Sequence, residues 1–144
     1  MNRLSVLVAI LVVGCASDAS IPDLGEKLDL PPNSELLVVA AAQMMPHQEM
    51  FLAGIKFEVA ANEKHRIAYI STHDPKFRTP EGLTVGSTLA QVLAVGAKTP
   101  MAEAGWAYHT QLPSGWSAAF ISLPGLTNAP LQPDSKVSWF FKRQ

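Results

Sequence analysis

His73 and Asp74 are neighbours in the chain, and an imidazole beside a carboxylate is the pairing that general acid–base catalysis uses. Adjacent residues on an extended chain point to opposite sides, so the two cannot work on one proton, and Asp74 ahead of Pro75 suits the start of a turn. Nucleophilic catalysis needs a positioned hydroxyl or thiol, a base and an oxyanion site. Gly115, Trp116 and Ser117 come nearest to a G-x-S-x-G elbow, but Ala118 and Ala119 follow, and the segment reads as a hairpin rather than a strand-to-helix turn. An enzyme of another type requires His73, Asp74, His109 or Glu103 to converge in a cleft, which the fold must decide.

Met44, Met45, His47 and Met50 form a second cluster, and thioether with imidazole ligands suits Cu(I). Methionine is also an ordinary filler of irregular apolar gaps, and His47 beside Pro46 suits a solvated loop. The expectation is no metal and no cofactor, with Cu(I) on this segment as the alternative. Zinc has less support, since the chain has neither H-E-x-x-H nor a close cysteine pair. Lys76, Arg78, Glu81 and Gly82 could form an anion-binding loop. The architectural reading is stronger, with Phe77 plugging the core while prolines and glycine shape the backbone. Trp106, Trp116 and Trp139 are candidate interaction residues for a peptide or glycan if they share an exposed face; at strand spacing such rings otherwise fill a core.

The elements that must position these residues follow from periodicity. The run 36–42 is continuously apolar and fits a buried strand or a helical turn. Ile55, Phe57 and Val59 alternate with Lys56 and Glu58, and Ile67 and Tyr69 resume the alternation after a polar turn, which predicts a hairpin with one wet face. Thr88 with Gln91 three residues on fits a capping box. Leu89, Val92 and Leu93 then share one face of a short helix that Gly96 can end. Trp106 and Tyr108 alternate before turn residues 112–115, and 116–122 supplies the return strand. Beyond a proline-interrupted loop, Val137, Trp139 and Phe141 share a face of a last strand, followed by Lys142 and Arg143.

The N-terminus carries a different chemistry. Arg3 precedes an apolar run from Val6 to Val13, far shorter than the roughly 20 residues of a permanent span, so a signal peptide is expected and no transmembrane helix. Val12, Val13, Gly14 and Cys15 resemble the lipobox of bacterial lipoproteins, whose cysteine takes a diacylglycerol before cleavage on its N-terminal side. The resemblance implies a signal peptide over 1–14 and lipidation at Cys15. The alternative is ordinary secretion after Ala16 or Ala19. Two or more acyl chains make a stable anchor. Ala16, where aspartate favours inner-membrane retention, implies the outer membrane, with the protein facing the periplasm.

Residues 15–33, rich in Asp, Ser, Pro and Gly, read as a lipid-proximal tether, and 34–144 as one domain. The formal net charge of −1 offers no basic field for a polyanion, so nucleic acid is not an expected partner. Cys15 is the only cysteine, so stability must come from packing without an intramolecular disulfide.

Asp74, Pro75, Phe77, Thr79, Glu81, Gly82, Val85, Gly86, Thr88, Leu89 and Val92 resemble a motif of exported bacterial lipoproteins that brings no known activity. Within it, Gly86, Thr88, Gln91 and Val92, followed by Gly96 and Pro100, are similar to the helix signature of the SmpA/OmlA family of small outer-membrane lipoproteins, with Trp106 and Tyr108 where that family begins its sheet. The spacing departs by one residue before Gly96, and an extra hairpin precedes the helix. The resemblance implies a helical layer on a three-stranded antiparallel sheet and a role assisting insertion of β-barrel proteins. Together the readings predict an α+β domain: an antiparallel sheet of about five strands with one short packed helix. The predicted function is a non-enzymatic binding or envelope-assembly accessory, with the membrane and an envelope protein as partners.

Overall fold

The computed structural model describes residues 20–121 and 130–144. The signal run, the lipobox and Cys15 lie outside the described residues, as do residues 122–129 of the proline-interrupted loop. No helix among the described residues is long and apolar enough to cross a membrane.

Among the described residues the sheet has eight strands rather than about five. They are β1 (Leu36–Ala40), β2 (Gln43–Leu52), β3 (Ile55–Ala61), β4 (Ile67–Thr72), β5 (Met101–Glu103), β6 (Ala107–Gln111), β7 (Ser117–Ile121) and β8 (Trp139–Arg143). All neighbours are antiparallel, in the order β1-β2-β3-β4-β8-β7-β6-β5. The helix, α1 (Leu89–Ala94), has only six residues, so the expected α+β layout gives way to a nearly all-β one.

Three strands separate the two descriptions, and each has a physical reason. β1 is the ambiguous apolar run. β2 contains Pro46, which argues against a strand because proline cannot donate to a ladder. Here the His47 amide donates to the Glu35 carbonyl on the β1 side, so position 46 faces β3, whose pairing ends one residue earlier at His47↔Ala60. The missing N–H therefore costs no bond. β2 turns into β3 through Ala53 and Gly54, both at positive φ (49° and 76°), as a two-residue hairpin requires, with alanine where asparagine is the familiar signal. β5 is three residues long and carries no readable period.

The sheet curls into a half-barrel, so its faces differ in what covers them. The outer face holds the larger core, including Phe57, Val59, Ile70, Phe120 and Phe140, under Phe77, Leu83, Leu89 and Val92 from the segment between β4 and β5. Thr88 and Gln91 form the capping box. The Leu89 and Ala90 amides donate to the Ser135 and Pro133 carbonyls, so the helix start leaves few donors unmet. Gly96 follows at φ 87°. Leu93, expected on the packed face, is 44% exposed, because six residues give fewer than two turns and Leu89 with Val92 are the residues that α1 buries.

Two other alternations break. Opposite Ala60 and Ala61 stand Tyr69 and Ile67, so Ala68 is the extra residue of a bulge that sends Ile67 to the outer core and Tyr69 to the inner cluster. Val137 precedes β8 and packs outside, while Trp139 and Phe141 face inward. Before β1, Ile21, Leu24 and Leu28 pack on the outer core, and the Gly25 and Leu28 amides donate to the Ile67 and His65 carbonyls. That part of the segment read as a tether lies on the domain.

Candidate functional site

The inner face brings the ends of the sheet together. Glu103 projects from edge strand β5, and its Oε1 accepts the Ala41 amide at 2.9 Å from the β1–β2 turn, at the opposite end of the strand order. Oε2 accepts Arg143 from β8 at 2.7 Å and His109 Nε2 from β6 at 3.0 Å, with Arg143 also reaching Oε1 at 3.3 Å. Burial alone raises the Glu103 pKa, but the hydrogen bonds and charge of Arg143, the Ala41 amide and His109 reverse that and hold it at about 2. Glu103 is a carboxylate with both oxygens occupied by the protein's own donors. His109 is buried; loss of water lowers its pKa, with Glu103 opposing and Arg143 adding to the effect. Its Nε2 therefore carries the proton that Glu103 accepts.

Aromatic rings pack around this group. Trp106 meets Phe141 at 5.1 Å, Trp139 at 5.7 Å and His109 at 5.8 Å, while the Arg143 guanidinium lies 5.0 Å from the Trp106 ring. Tyr69 stacks on Phe141 at 5.7 Å, and its buried phenol is pushed up to about 12, desolvation outweighing hydrogen bonds with Ser71 and Trp139. Of the three tryptophans, Trp106 and Trp139 thus lie inside the curl. Trp116 lies on the outer face, 4.8 Å from Phe77 and under the Lys142 ammonium. Trp116 and Trp139 are buried and Trp106 is half-buried, so the three make no single exposed patch.

Of the acid–base candidates, Glu103 and His109 meet, whereas His73 and Asp74 diverge. His73 stacks on Trp139 at 5.5 Å; partial burial lowers its pKa, Glu58 opposing and Lys56 assisting. Asp74 turns away to accept the amides of Lys76 (2.9 Å) and Lys56 (3.1 Å), which hold its carboxyl below the ordinary range. It is the turn organiser that Pro75 suggested. Lys56, Glu58, Thr72, His73, Asp74 and Lys76 line an open cavity of about 570 Å³ beside β3 and β4.

The loop read as a possible anion site is braced internally. Arg78 donates to the Gly82 carbonyl at 2.7 Å. Glu81 accepts the Ser114 amide and hydroxyl at 2.6 and 3.0 Å, tying this loop to the β6–β7 turn. Burial raises its pKa, but these bonds outweigh it and leave the carboxyl lowered. Gly82 at φ 88° allows the turn that aims Glu81.

β2 spreads the methionine cluster. Met45 packs on the inner cluster and Met50 on the outer core, while Met44 is 61% exposed. Alternation places Met44 and Met50 on one side, about 20 Å apart at the rise of a strand, and Met45 with His47 on the other. His47 Nδ1 donates to the Glu35 carbonyl at 2.9 Å. The four therefore have no common centre.

Sequence reading missed the Glu103–Arg143 pair. One signal was present: two residues after inward-facing Phe141, Arg143 must also face inward. Nothing local marks Glu103 as its partner 40 residues away. No protein-family model, curated protein or solved structure matches the chain.

Proposed function

We propose that the chain is an outer-membrane lipoprotein, anchored through Cys15 and facing the periplasm, whose sheet domain works by binding, as an accessory to envelope assembly. Glu103 is the observation that carries this reading. Where carboxylate, imidazole and guanidinium meet, the carboxylate sits far below the range useful to a general base near neutral pH, and its oxygens join β5, β6, β8 and the β1–β2 turn. The group braces a scaffold.

The surface offered to a partner is the cavity beside β3 and β4. Lys56, Lys76, Glu58 and Asp74 give it a mixed-charge rim, and His73 backed by Trp139 gives it an aromatic wall. A polar rim around an aromatic centre is the usual composition of a protein contact. An envelope protein is the expected partner, and the net charge of −1 offers nucleic acid no attraction.

A photo-crosslinkable residue in place of Lys76 tests this in the full-length chain expressed in its own envelope. A reproducible light-dependent adduct with one envelope protein is expected, absent when the same residue replaces Lys136, which is exposed outside the cavity. Equal adducts at both positions, or none, count against binding at this surface.

A further inference from the structure

Among the described residues, the outer face of the sheet is covered except over the first hairpin. Leu36 and Val38 of β1 are 61% and 49% exposed, and Met44 of β2, opposite Val38, is 61% exposed. Pro46, opposite Leu36, is exposed too. Leu37 and Val39 alternate to the inner cluster, so the apolar row is a consequence of strand parity, with no covering layer above it among the described residues.

From Cys15 to Ile21, the first described residue packed on the domain, there are six residues, and six extended residues span at most about 20 Å. Residues 25–28 are held by His65 and Ile67, at and just beyond the β3–β4 turn. Residues 62–64 of that turn share a cavity of about 490 Å³ with Met44, Met45 and Pro46. Ile21, Leu24 and Leu28 pack on the outer core, so the anchor reaches the domain on the face that carries the uncovered row. A tether this short gives an effective local concentration on the order of millimolar, which lets a patch too small to bind a bilayer unaided rest on one.

We infer that the Leu36–Val38–Met44 face lies on the lipid surface that carries the anchor, at headgroup depth, and fixes the orientation of the domain. The inference rests on lipidation at Cys15. Headgroup depth follows from β1 being an edge strand: its outward backbone groups need water or headgroups and cannot sit in hydrocarbon. In this pose residues 21–28 and the β1–β2 hairpin face the membrane.

The test uses the full-length lipidated protein in vesicles of phosphatidylethanolamine and phosphatidylglycerol carrying nitroxide-labelled acyl chains. Val38→Cys and Met44→Cys each receive an environment-sensitive maleimide dye, with Phe51→Cys near the β2–β3 turn as the exposed control. Quenching at 38 and 44 is expected to exceed that at 51 by about twofold or more, as for side chains held at an interface. Equal quenching at all three positions overturns the inference. So does a blue-shifted, unquenched dye at 38 and 44, which places a second copy or another protein on the row. The intact mass of the unsubstituted protein checks the anchor separately: an acylated chain beginning at Cys15 keeps the lipid reading, whereas a chain without acyl groups shows that the lipid reading itself has failed.

Discussion

Phe77→Ala lowers the unfolding free energy by about 3–5 kcal/mol, the usual cost of emptying a fully buried phenylalanine site. Phe77 belongs to no helix or strand, yet it is 4% exposed, and its ring centroid lies 5.6 Å from Phe57, 4.8 Å from Trp116 and 5.8 Å from Phe140. It joins the loop after β4 to three strand regions, so a cavity there has no flexible wall to collapse. Urea unfolding should show a lower midpoint at unchanged slope, whereas Leu93→Ala on the exposed side of α1 changes stability by no more than about 0.5 kcal/mol. Equal effects at the two positions would mean that Phe77 is not the plug of the outer core.

Glu103→Gln costs about 3 kcal/mol near neutral pH, because it leaves the Arg143 charge in the curl without its anion. The pH dependence gives the sign. Glu103 has its pKa lowered on folding from 4.5 to about 2, so its contribution is present above 4.5 and is lost as pH falls through that window towards 2. His109, lowered by burial, acts in the same direction, since protonation from below about 6.5 also disfavours the folded state. The difference in unfolding free energy between parent and variant should therefore shrink as pH falls from about 5 to 2, leaving the other carboxylates common to both. A difference that stays constant with pH would show that Glu103 is not held as a carboxylate.

Local chemistry made part of the fold readable. Thr88 and Gln91 announce the cap of α1, and the alternation Ile55–Phe57–Val59 announces β3, because both signals reside within one element. The sheet's size was hidden for the opposite reason. β2 looks polar and contains proline, and only its neighbours β1 and β3 reveal that position 46 has no bond to lose. The bulge at Ala68 and the turn containing Trp106 likewise reset the parity that pattern reading extends across them, so Tyr108 packs on the outer core while Trp106 faces inward. The candidate site was least legible. Its carboxylate and guanidinium come from an edge strand and the C-terminal strand, and they meet only because the sheet curls. His73 and Asp74 were conspicuous as neighbours in sequence, and that adjacency is what sends them to different partners.

How the chain is held decides which surface its sheet presents, and the mass of the mature protein tests this most directly. Intact-mass and N-terminal analysis of the protein purified from its own membranes should find the chain beginning at Cys15, heavier than residues 15–144 by a diacylglycerol and further acyl groups. An unmodified chain beginning at Ser17 or Ser20, or one retaining Met1, would contradict the account.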